Sequence, residues 1–166
     1  MTWRSTDAIS DKLLGCLPYL LPLFDAVVVG GALFKLIDNF PVLAPLRDVL
    51  FILVSPVLIA YSLVPLGLGK LIVFFALFFL VVRNERISHF IRFNTMQAIL
   101  IGFIIYIGSL VLGLLTVPGL ELITDTFYNV LLFGGLAVVG YSIVQCLMGR
   151  YSEIPTISEA VHMQIR

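Results

Sequence analysis

The sequence predicts an all-α polytopic membrane protein: four transmembrane helices plus a proline-broken segment that is membrane-embedded or re-entrant. Three observations carry that prediction. Hydrophobic residues make up 60% of the chain and charged residues only 12%, about half the charged share of a soluble domain. Uncharged stretches recur at 13–34 (broken only by Asp25), 49–69, 71–82, 93–120 and 126–149, and about 20 apolar residues cross a hydrocarbon core of about 30 Å. Finally, the run LIVFFALFFLVV at 71–82 passes directly into RNERISHFIRFN at 83–94. Each arginine at a bilayer centre costs at least ~2.5 kcal/mol, so this junction marks a membrane surface.

The first crossing is placed at 13–36, bent by Pro18 and Pro22 and carrying Asp25. Arg4 and Lys12 ahead of an apolar run imitate a secretory signal. The two prolines and Asp25 interrupt that run, however, and Gly30-Gly31-Ala32 is a poor cleavage site. Residues 41–65 are read as re-entrant or interfacial, because Pro56 and Pro65 free backbone carbonyls that then need protein or water partners. The second crossing is placed at 66–83. Its run at 71–82 covers only about 18 Å at ~1.5 Å per residue and must borrow neighbours.

An amphipathic elbow is expected over 84–94, with Ile87, Phe90 and Ile91 on one face and Glu85, Ser88, His89 and Arg92 on the other. Glu85 and His89 are spaced to pair on it. The third crossing, 95–116, aligns Ala98, Gly102, Ser109 and Gly113 as a close-packing seam, and the fourth, 126–148, repeats the device with Gly134, Gly135, Ala137 and Gly140. In the inner tail, 150–166, the capping-box pattern TISE at 156–159 predicts a short helix through His162.

Counting lysines and arginines does not fix the number of crossings. With four, Arg4, Lys12, Arg83, Arg86, Arg92, Arg150 and Arg166 lie inside and Lys35, Arg47 and Lys70 outside; with five, Lys35 and Arg47 replace Arg4 and Lys12. Both give an inner 83–92 loop, an inner tail and an outer turn at 118–125. The paired prolines favour four.

Ten basic and ten acidic residues cancel, so no nucleic-acid partner is expected. No nucleotide loop, HExxH, GxSxG or paired-carboxylate motif occurs, which argues against an enzyme and against a cofactor. Cys16 and Cys146 have no zinc-site spacing and read as apolar packing. They lie at similar depth near one face, which leaves a disulfide geometrically open. Asp25 is the candidate functional acid, since ionisable groups inside a bilayer are costly to keep. Arg83, Asn84, Arg86, His89 and Arg92 are candidates at the junction, for anionic headgroups or a partner. Asn94, Gln97, Asn129 and Tyr141 are polar candidates on the last two crossings. For each of these a purely structural role stays open.

The motifs LPYLLP at 17–22, FP at 40–41, FFALFFLVVRN at 74–84, IRFNTMQA at 91–98 and IPTISEA at 154–160 resemble the Tic-twenty family, whose members include a chloroplast inner-envelope translocon subunit. The resemblance covers nearly the whole chain. It implies four transmembrane helices, both termini on the stromal or cytoplasmic side, and a role in moving preproteins with other translocon subunits as partners, in an oligomer or hetero-complex. With no transit leader, the chain resembles a cyanobacterial or plastid-encoded member, placed in a cyanobacterial plasma or thylakoid membrane or a plastid inner envelope. Many relatives have an acid soon after MQA, where this sequence reads ILIG at 99–102. The resemblance implies no catalytic residues. A small-solute channel or transporter, or a membrane assembly scaffold, is the alternative reading.

Overall fold

Every element of regular structure in the computed structural model, which describes residues 8–115, 119 and 121–165, is helical. The chain opens with α1 (Ile9–Cys16), a 3-10 turn at Leu17–Tyr19 and α2 (Leu20–Val29), and it bends at Gly30 into α3 (Gly31–Ile37). Then come α4 (Ala44–Ser62), a 3-10 turn at Pro65–Gly67, and α5 (Gly69–Leu77), which ends in a π turn at Phe78–Val82. The long helices α6 (His89–Leu114) and α7 (Glu121–Leu147) precede the short α8 (Ile157–Gln164). Among the described residues, four helical stretches are long and apolar enough to cross a membrane: Ile9–Val29, Ala44–Ser62, His89–Leu114 and Glu121–Leu147. The protein is a multi-pass membrane protein.

Contacts between the helices set their directions. Gly15 packs on Phe90, the Tyr19 hydroxyl bonds Asn94, and Asp25 lies beside Gly102, so α1–α2 and α6 run parallel. On α7 the order is reversed: Cys146 meets Gly15, Gly135 meets Ala26, and Leu132 meets Gly30. Phe51 lies tilted against Phe34 and Tyr61 edge-on to Phe24, each at 5.4 Å between ring centres, which makes α4 antiparallel to α2–α3. Lys70 reaches Tyr106, Phe74 reaches Phe103, and Arg92 bonds the Val82 carbonyl, which makes α5 antiparallel to α6. Helices α4 and α5 therefore run in the same direction, as consecutive pieces of one descending path. The start of α1, the turn at 83–88 and α8 share one end of the bundle.

Residues 41–65, expected as an embedded segment ahead of a separate crossing at 66–83, hold α4, a helix long and apolar enough to cross by itself, and the shorter apolar stretch Gly69–Val82 follows it. Pro56 lies inside the 19-residue α4 without ending it, because the Ser55 hydroxyl donates at 2.8 Å to the Ile52 carbonyl that a proline cannot serve. The true interruption follows at Pro65, where Leu66 (φ 64°) and Gly67 (φ 72°) turn left-handed. Gly69 then presses on the Tyr61 carbonyl so closely that a Cβ would come within 2.0 Å of its oxygen. Lys70, counted above among outer cations, lies instead against Asp25 inside the bundle.

Three local expectations also change. The amphipathic elbow over 84–94 is a non-helical turn up to Ser88, after which Phe90 to Asn94 belong to α6 itself. His89 faces the Tyr151 hydroxyl at 3.1 Å rather than Glu85. Helix α8 forms where expected, but Thr156 (φ 69°) makes no side-chain cap; the Ser158 hydroxyl instead accepts from the Ile154 N–H at 2.7 Å. Cys16 and Cys146 are both free thiols. Arg4, Arg166 and Pro118 lie outside the described residues.

Two apolar clusters hold these pieces together. One joins α2, α4, α6 and α7 through Leu23, Ala26, Val54, Ile101, Ile105 and Leu132. At its centre Gly135 lets two backbones close: a Cβ there would meet that of Ala26 at 2.8 Å. By contrast, Gly134 and Gly140 face open space, so only part of the expected seam on α7 packs inside the chain. The second cluster clamps α8 beneath the π turn and α6 through Val82, Phe93, Met96 and Val161.

Candidate functional site

Polar side chains gather in two places inside the bundle. The first follows from the residues NTMQ at 94–97, which put Asn94 and Gln97 one turn apart on α6. Asn94 donates to its own helix at the Phe90 carbonyl (2.8 Å) and accepts from the Tyr19 hydroxyl (2.9 Å). Gln97 donates to the Ser152 carbonyl (3.0 Å) and accepts from the Ser152 hydroxyl (2.8 Å). Tyr19, Asn94, Gln97 and Ser152 are all fully buried, and their bonds tie the first crossing, α6 and the segment ahead of α8 into one knot. Buried polar groups that are all bonded rigidify what they join.

Just below it, the π turn leaves the Val82 carbonyl facing the bundle, and the buried Arg92 donates to it from Nε at 2.8 Å. The neighbouring turn keeps Arg83 and Arg86 exposed, with the Asn84 side chain accepting from the Arg86 N–H at 3.1 Å. Burial pushes the Tyr151 phenol, which meets His89 here, above its ordinary value.

The second centre lies where α4 breaks. Asp25 is 8% exposed, and Lys70 donates to its Oδ1 at 2.8 Å while the ammonium sits 4.4 Å from the centre of the Tyr106 ring. The Tyr61 hydroxyl is buried beside them with no hydrogen-bond partner among the described residues. These groups line a cavity of about 460 Å³ whose remaining walls are apolar. A concavity of about 680 Å³ lies toward the opposite end from the arginine turn, lined by Lys35, Asn39, Ser109, Asp125 and Tyr128. Among the described residues no group of three or more His, Cys, Asp or Glu could hold a metal.

The structure thus joins Asn94 to Gln97 and gathers Arg83, Asn84, Arg86, His89 and Arg92 at one end, while Asp25 stands apart with Lys70. Asn129 keeps a buried carbonyl oxygen with no partner among the described residues, and Tyr141 is 44% exposed, on the outside of α7. The sequence reading missed Lys70, Tyr61, Tyr19 and Ser152. Lys70 had a signal: it is the only charge between Asp48 and Arg83, directly after a Pro-Leu-Gly-Leu-Gly break.

A family model described as "Chloroplast import apparatus Tic20-like" matches residues 10–161. The chain belongs to the Tic20 family. It is 42% identical to a Tic20 family protein of Synechocystis sp., over 100% of this chain and 99% of that one. It is 36% identical to the Tic20 family protein Ycf60 of Porphyra purpurea (99% and 80%) and 29% identical to Protein TIC 20-v, chloroplastic, of Arabidopsis thaliana (97% and 73%). The motifs that carried the resemblance to the Tic20 family, VVRN and RFNTMQA, meet in space: Val82 is bonded by Arg92, and Asn94 and Gln97 form the knot.

Proposed function

We propose that the chain is a membrane subunit of a complex that moves preproteins across a plastid or cyanobacterial membrane, and that it contributes walls to the conducting path. The match of nearly the whole chain to a family described as import apparatus carries this reading. Lys12, Arg83, Arg86 and Arg150 gather at the end that holds α8, which supports a stromal or cytoplasmic position for that end and contact of the arginine turn with anionic lipids. The outward faces of α4 and α7, where Ile52, Ile59, Gly134 and Gly140 lie open, suit other subunits or further copies of the chain.

Photo-crosslinkers at Lys35, Asp125 and Tyr141, scanned while a precursor is arrested in transit, test the path. Precursor adducts at the concavity holding Lys35 and Asp125 are expected. No precursor adduct at any scanned position overturns the conducting role. One observation favours a second reading, a small-solute transporter: a crossing broken beside an intramembrane acid. Solute flux into liposomes, lost on Asp25→Asn, would favour it over the first.

A further inference from the structure

The cavity at the broken crossing holds more hydrogen-bond donors than the protein uses. An ammonium has three N–H groups. Lys70 gives one to Asp25 at 2.8 Å and rests on the Tyr106 ring, while the Tyr61 O–H beside it is buried and bonded to nothing among the described residues. An unmet buried donor is costly, and more so in a bilayer where water is scarce. Because Asp25 already balances Lys70, a charged guest would bring an uncompensated charge into a low-dielectric site. The space therefore suits a neutral molecule carrying an acceptor.

The walls define the remainder of that molecule. Leu21, Leu71, Phe74, Ile99 and Phe103 are apolar, and about 460 Å³ falls within the ~300–1,000 Å³ usual for small-molecule sites. The lining comes from α2, the break, α5 and α6, and Leu71 at the rim is 51% exposed, so the cavity opens sideways toward lipid. Depth separates two sources of a carbonyl acceptor. Gly102, which touches Asp25, lies midway along the 26-residue α6. Glycerolipid esters sit near the edge of the hydrocarbon core, about 15 Å from its middle. A ring carbonyl on a hydrophobic molecule dissolved in the core reaches that depth without deforming the bilayer.

We propose that this cavity is a lateral binding site for a neutral, carbonyl-bearing hydrophobic ring of the membrane-quinone type, its carbonyl accepting from Tyr61 Oη and Lys70 Nζ. The proposal concerns binding alone and stands apart from preprotein transport, since its test uses no precursor. The full-length protein in lipid nanodiscs is irradiated with an azido-labelled short-chain benzoquinone, and adducts are mapped by mass spectrometry. A parallel sample carries phosphatidylcholine with a diazirine in its acyl chain. Quinone adducts on 61–74 and 99–106, removed by excess unlabelled decyl-benzoquinone, are expected. Tyr61→Phe should lower labelling about fivefold, the effect of one lost hydrogen bond, and Leu71→Trp should block the rim, with thermal melting of both variants unchanged. Absence of quinone adducts there overturns the proposal. So does lipid labelling of the same peptides that excess quinone fails to displace, or Tyr61→Phe labelling equal to that of the wild type.

Discussion

Two tyrosines inside the same bundle have opposite circumstances. The Tyr19 hydroxyl meets Asn94 at 2.9 Å and lies 3.3 Å from both Gln97 and Ser152, whereas the Tyr61 hydroxyl, equally hidden, meets no partner among the described residues. The first belongs to a closed network; the second borders about 460 Å³ of space. The difference teaches which polar residues of a membrane protein hold the fold and which are left available for something else. Saturated donors stabilise, and spare donors beside space mark a site.

Breaking the knot should have the largest effect. Gln97→Leu removes two bonds to Ser152, leaving its carbonyl only Ser158 at 3.1 Å and its hydroxyl only Tyr19 at 3.3 Å, and should cost about 2 kcal/mol, read as a lower midpoint in denaturant titration of the purified protein. Tyr19→Phe removes one donor from the same network and should cost about 1.5 kcal/mol. Ser55→Ala exposes the Ile52 carbonyl beside Pro56 and should cost about 1 kcal/mol, visible as earlier melting and faster proteolysis within α4. The same change of tyrosine to phenylalanine at Tyr61 should leave stability within about 0.5 kcal/mol, because no bond is lost. Equal losses at Tyr19 and Tyr61 would erase the distinction between the two centres.

Hydrophobic run lengths and the arginine junction made the helical membrane class legible, since both report directly on bilayer thickness and charge cost. The path of the second crossing was not legible. Pro56 and Pro65 look alike in sequence, yet Ser55 repairs the first and left-handed Leu66 and Gly67 follow the second. Asp25 stood out because its cost is local. Its partner Lys70 is 45 positions away, and only the descent of α4 and α5 beside α2 and α6 brings the two together. Asn94 and Gln97 were singled out as polar residues on a seam, but their saturation depends on Tyr19 and on Ser152 from the tail, which no periodicity reveals. The amphipathic pattern at 84–94 was real in composition, while the π turn and the Ser88 cap decided that the chain turns first and becomes helical only at His89.

The pair that joins the broken crossing to α2 admits a direct measurement: a double-mutant cycle with Asp25→Asn, Lys70→Gln and both together, followed by unfolding in detergent. Lys70 is about one-third exposed (35%), so the coupling expected is about 2 kcal/mol, below the ~3–5 kcal/mol typical of breaking a fully buried pair. Each single change should destabilise the protein, and the double variant should recover most of the loss. Strictly additive losses would contradict the pairing of Asp25 with Lys70, and with it the packing of the start of α5 against α2.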